Sequence, residues 1–123
     1  MSFSLTNTTR SNYRIPFEAI KNDVLGTKYQ LSLALIGEKR ARAINRQSRQ
    51  KEYAPNVLSF PLNKNSGEIY ITPAVAKREA KSFDHSEREH LVFLYIHGLL
   101  HLQGYDHGPK MESLEQKFLK RHG

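Results

Sequence analysis

The sequence predicts one small α+β domain, a mixed sheet packed against helices. Three observations carry that expectation. The chain has 123 residues, 38% of them hydrophobic, which suits a single core and is too short for two. Segments of period two and segments of helical period follow one another in the order βαβαββααα. No internal repeat, low-complexity tract or Pro/Gly/Ser-rich linker divides residues 1–123. The elements can be justified in turn. Ser2 to Thr9 alternates weakly through Phe3 and Leu5 and reads as an edge strand. Pro16 opens a helix with Phe17, Ile20 and Leu25 on one face, closed by Gly26. Tyr29 to Ile36 alternates as a strand with one face buried. Gly37 turns the chain into a basic helix from Glu38 to about Gln50, with Ala41, Ile44 and Ala43 as its apolar positions.

Pro55 interrupts that pattern. Val57 to Phe60 reads as a short strand ended by Pro61, Asn63 to Gly67 as a turn, and Glu68 to Thr72 as a further strand. Pro73 starts a helix through Val75, Ala76 and Ala80. Ser86 with Glu89 three residues on forms a capping box for a long helix ending at Leu102, and Gly104 stops it. Met111, Leu114, Phe118 and Leu119 mark an amphipathic last helix. Architecture of this kind assigns no function.

Composition narrows the classes. Nineteen Lys and Arg against twelve Asp and Glu give a net charge of +7, which favours polyanionic partners, nucleic acid before acidic membrane. The absence of cysteine excludes disulfides, thiol catalysis and Cys-based zinc or iron–sulfur sites. The longest apolar run, Leu91 to Ile96, is six residues, far below the roughly 20 of a spanning helix. Residues 1–10 lack the basic and apolar regions of a secretory signal. A soluble, cytoplasmic protein is expected.

Chemistry concentrates in one stretch, HGLLHLQGYDH, from His97 to His107. His97 and His101 are four apart on the expected long helix, so both imidazoles project from one face, one turn apart. Gly104 permits positive φ, and the turn can bring His107 back as a third ligand. Three neutral imidazoles leave one coordination position open, the arrangement of a catalytic zinc rather than a structural one. A bound Zn²⁺ lowers the pKa of its water to about 7. An isolated His pair at this spacing is often only surface; the third His after the Gly turn makes the metal reading the stronger. The spacing also matches the zinc-peptidase pattern H-E-x-x-H-x-x-G-x-x-H, but Gly98 stands where a peptidase places its general-base Glu. Peptide hydrolysis is disfavoured.

The same stretch resembles the signature of the YbeY family of metal-dependent endoribonucleases, H-G-x-L-H-L-x-G-Y-D-H. Every fixed position is present: His97, Gly98, Leu100, His101, Leu102, Gly104, Tyr105, Asp106 and His107. Upstream, Asn45-x-x-Ser48-Arg49 and Asn56-Val57-Leu58-Ser59-Phe60-Pro61 are similar to further family segments, as are Gly67-Glu68-Ile69 and Met111-Glu112-x-Leu114-Glu115. Ile44, Ser48, Pro55 and Glu68 depart from the usual residues without removing a ligand or the arginine. The resemblance implies a zincin-like α+β domain with a four-stranded sheet and about five helices. It implies a single-strand-specific endoribonuclease acting in ribosomal RNA maturation at the 3′ end of 16S rRNA, and in ribosome quality control. One zinc-like ion held by His97, His101 and His107 would be the cofactor. Single-stranded RNA and the small ribosomal subunit would be the partners, with no DNA or membrane.

Other residues admit two readings. Arg49, at the family's motif arginine, can hold a phosphate bidentately and offset transition-state charge, or be one more solvated charge beside Lys39, Arg40, Arg42, Arg46 and Lys51. Asp106 can orient a ligand imidazole or hydrogen-bond the metal's water, or serve as a turn aspartate. Ser59 reads as lining the site near Arg49 or as strand packing. His90, about 10.5 Å along the helix from His97, reads as a core histidine, and His85 and His122 as surface. Two other functions compete with the nuclease: a metal-stabilised RNA- or ribosome-binding module with little turnover, and a zinc-dependent hydrolase of another substrate. RNA cleavage would separate the first from both.

Overall fold

The computed structural model describes residues 2–123. Four strands and five α-helices follow the expected order. The strands are β1 (Phe3–Asn7), β2 (Gln30–Leu35), β3 (Val57–Asn63) and β4 (Ser66–Ile71). The helices are α1 (Phe17–Leu25), α2 (Glu38–Arg49), α3 (Pro73–Ala80), α4 (Glu87–Leu102) and α5 (Pro109–His122), with a 3₁₀ turn at Lys81–Phe83 after α3. The sheet order is β1-β2-β4-β3, with β1 and β4 parallel to β2 and β3 antiparallel to β4. This is an α+β fold on a mixed sheet.

The alternation in the sequence has a direct structural result. Leu31, Leu33 and Leu35 of β2, and Ile69 and Ile71 of β4, are all buried on the face that meets the helices. Against that face lies α4, which also contacts β3, α1, α3 and α5. Its run from Leu91 to Ile96 is apolar on nearly every side because it is surrounded. Ser86 caps it as expected, its Oγ accepting the Glu89 amide at 3.1 Å.

Two details differ from the sequence expectation. Strand β3 continues through Pro61 to Asn63, and β4 begins at Ser66, so only Lys64 and Asn65 separate the two strands. Pro61 is tolerated because β3 is an edge strand, bonded on one side only. In α2 the buried positions are Ala41 and Asn45; Ala43 is exposed and Ile44 half-buried. Asn45 is buried because its Nδ2 donates to the Tyr53 carbonyl at 2.9 Å, anchoring the loop between α2 and β3. Among the described residues, no helix is long and apolar enough to cross a membrane.

Candidate metal centre

The three histidines converge. His97 and His101 lie one turn apart on α4, with their Nε2 atoms 3.1 Å from each other. After α4, Gly104 takes φ +106°, and the Tyr105 amide returns to the Leu100 carbonyl at 3.1 Å. This return sets His107 with its ring centroid 5.0 Å from His97 and 4.8 Å from His101. One nitrogen from each ring lies within 4.8 Å of the other two.

The partners of the outer nitrogens assign the tautomers. His97 Nδ1 lies 2.5 Å from Glu115 Oε2, and a carboxylate only accepts. His101 Nδ1 lies 3.1 Å from the Tyr105 carbonyl oxygen, which also only accepts. Each Nδ1 therefore carries its ring's proton in the neutral form, leaving two bare Nε2 lone pairs facing each other. Such a pair is repulsive unless a metal ion or a shared proton lies between them. Tetrahedral Zn–N bonds would hold two ligand nitrogens about 3.3 Å apart, close to the spacing found. Burial, with the neighbouring His97 next, lowers the His101 pKa and favours the neutral, ligating form. The donor set fits a divalent transition metal.

Glu115 is the residue that sequence reasoning missed. It is a carboxylate on the buried stripe of α5, four residues after Met111 and three before Phe118. That misplaced charge on an apolar face was the available signal. Asp106, adjoining His107 in sequence, is exposed and makes no hydrogen bond among the described residues.

Two clefts meet at the histidines, sharing Asn56, Val57, His97 and His107 as walls. The larger, about 490 Å³, also contains His101, Arg49, Tyr53 and Ser59. Arg49 occupies the last turn of α2, is exposed, and forms no ion pair among the described residues. Ser59 lines this cleft and also donates to the Gly98 carbonyl at 3.1 Å, so both of its sequence readings coexist. The smaller cleft, about 250 Å³, is bounded by Phe83, Phe93, Met111, Glu112 and Glu115.

Behind the wall between the clefts runs a polar chain. Asn56 Nδ2 lies 3.1 and 3.2 Å from the two Glu79 carboxylate oxygens, and buried His90 places Nε2 2.9 Å from Glu79. His90 is thus a satisfied core histidine. His85 is half-buried rather than on the surface, with Nδ1 3.0 Å from His90 Nδ1. His122 pairs with Asp23 at 2.8 Å, joining α5 to α1.

Comparison with known proteins adds an independent line. A family model described as Endoribonuclease YbeY matches residues 4–123. The Endoribonuclease YbeY of Neisseria meningitidis serogroup B is 40% identical over 109 residues, 80% of this chain and 63% of that protein. That of Mesoplasma florum is 34% identical over 105 residues, 76% of this chain and 62% of that protein. The match thus spans a little under two thirds of the length of these curated relatives. The solution structure of TM1509 from Thermotoga maritima superposes with a TM-score of 0.69 at 25% identity, covering 96% of this chain and 87% of that one.

Proposed function

Because the chain belongs to the YbeY endoribonuclease family, we propose that it cleaves single-stranded RNA at the cleft shared by His97, His101, His107 and Arg49. The observation that carries this reading is the pair of imidazole Nε2 atoms 3.1 Å apart, in the same cleft as an arginine without a carboxylate partner among the described residues. Zinc is the proposed ion, one per chain. When bound, it would lower the pKa of water toward neutrality and polarise a phosphoryl oxygen.

The chain's own residues supply the rest. Arg49 offers a planar guanidinium to the non-bridging phosphate oxygens and offsets the negative charge that grows in the transition state. Asp106 adjoins His107 in sequence but is exposed and lines neither cleft; hydrogen bonding to water near the site is its proposed part. Glu115 and the Tyr105 carbonyl hold the two helix imidazoles in the ligating tautomer. Gly98 leaves no carboxylate where a peptidase would need one, which opposes peptide hydrolysis. Ribosomal RNA, cut near the 3′ end of the small-subunit transcript, is the proposed natural substrate, and the small ribosomal subunit the proposed partner. Action in ribosome quality control and a cytoplasmic location complete the proposal.

The test is single-turnover cleavage of a labelled single-stranded RNA by metal-replete protein. Parental protein should cut it. Arg49→Ala should slow cleavage by well over tenfold while retaining fold and metal. Saturated, metal-loaded parental protein that binds the RNA without cutting it would replace the nuclease by a binding module.

A further inference from the structure

The smaller of the two clefts shares His97, His107 and Glu115 with the metal centre, but the rest of its lining is of another kind. Phe83, the last residue of the 3₁₀ turn, lines it and is 51% exposed, a large apolar ring left in water. Phe93, on α4 one turn before His97, lies behind it with ring centroids 5.9 Å apart. Phe83 is held in place against buried His90 at 4.8 Å between centroids. Besides His97 and His107, the ionisable groups lining this cleft are Glu112, exposed, and Glu115, buried against His97. Among the described residues no lysine or arginine lines this cleft, whereas Arg49 lines its neighbour.

The electrostatics separate the two compartments. A phosphate is drawn to the histidines' ion and to Arg49 and repelled by Glu112 and Glu115, which lie in the smaller cleft. A nucleobase is suited to the first: its face stacks on an aromatic ring, and its N–H edge donates to a carboxylate. Because His97 and His107 line both clefts, a strand with its phosphate at the histidines has the smaller cleft within reach of an adjoining base. Tyr53, 55% exposed in the larger cleft, offers a stacking face on the other side.

We propose that the cleft between Phe83 and Glu112 is a nucleobase subsite that takes one unstacked base next to the reacting phosphate and favours an N–H donor edge, guanine above uracil. Guanine presents two parallel N–H donors that a single carboxylate can accept together; uracil presents one. The subsite rests on the RNA reading for its position beside the histidines, but its recognition chemistry can be measured without cleavage.

The experiment measures binding of labelled hexaribonucleotides to the metal-replete full chain. The strands are otherwise uridine and carry guanine, uracil or an abasic site at one position, each position tried in turn. Guanine at the preferred position should bind about fivefold or more tightly than the abasic strand, with uracil between. Phe83→Ala should erase the difference between base and abasic site, and Glu112→Gln should narrow guanine over uracil. Both side chains are exposed, and metal content of the variants should be unchanged. Affinities indifferent to the base at every position, or a preference that Phe83→Ala leaves intact, overturn the subsite. Cleavage of the same strands separates the two proposals: cutting without base preference overturns the subsite alone. Base-selective, Phe83-dependent binding without cutting supports the subsite and overturns the nuclease.

Discussion

Glu115 and Asp106 show what a single residue can and cannot reveal. Asp106 adjoins a candidate ligand in sequence, yet it faces solvent. Glu115 is 18 positions from His97 and touches it, because α4 and α5 pack side by side. Spacing within one helix is legible from the chain, so His97 and His101 were readable as a pair. A partner on another helix depends on packing that spacing does not encode. The carboxylate accepts the His97 Nδ1 proton and so fixes the ring's tautomer and orientation. Glu115→Gln, which keeps the size but removes the charge, should weaken metal binding by about 10- to 100-fold. Competition against a chromogenic chelator measures it, with circular dichroism confirming an unchanged fold. Unaltered affinity would reduce Glu115 to a packing residue.

At the scale of elements, Gly98 sets how closely α4 approaches the sheet. A Cβ built there would lie 2.9 Å from Ser59 Oγ, 3.2 Å from Ile69 Cδ1 and 3.3 Å from Val57 Cγ2. The glycine that argued chemically against a peptidase thus also has a steric reason to be there. Gly98→Ala gains about 1 kcal/mol of helix propensity but overpacks the α4–β3 interface at about 1–3 kcal/mol. The expected net is a lower urea midpoint at constant m-value, partly recovered when Ser59→Ala removes the nearest atom. A Gly98→Ala protein more stable than the parent would show that the interface yields freely. The order of elements was legible because periods of two and 3.6 differ clearly in β2, β4 and α5. The end of β3 was not, since Pro61 breaks a central strand but not an edge strand, and edge position is a property of the assembled sheet.

For the whole molecule, much of the net charge of +7 is focused on one helix, α2, where five Lys and Arg face a single Glu38. Lys39, Arg40, Arg42 and Arg46 are exposed on α2, the helix that also presents Arg49 to the histidine cleft. Neighbours along the helix should therefore hold the strand while Arg49 acts at the reacting phosphate. Double substitution Arg40→Ala and Arg42→Ala should weaken RNA binding and lower the log–log salt slope by about 0.7 for each phosphate no longer neutralised. The cleavage rate at saturating RNA should be unchanged, and a fall in that rate would merge the two roles. All of this depends on the three histidines acting as one metal site. Elemental analysis of protein purified without an affinity tag addresses that claim directly, with His97→Ala, His101→Ala and His107→Ala alongside the parent. The account predicts one transition-metal ion per parental chain and a sharp loss in each variant. A His107→Ala protein that keeps one ion per chain with unaltered affinity would contradict it.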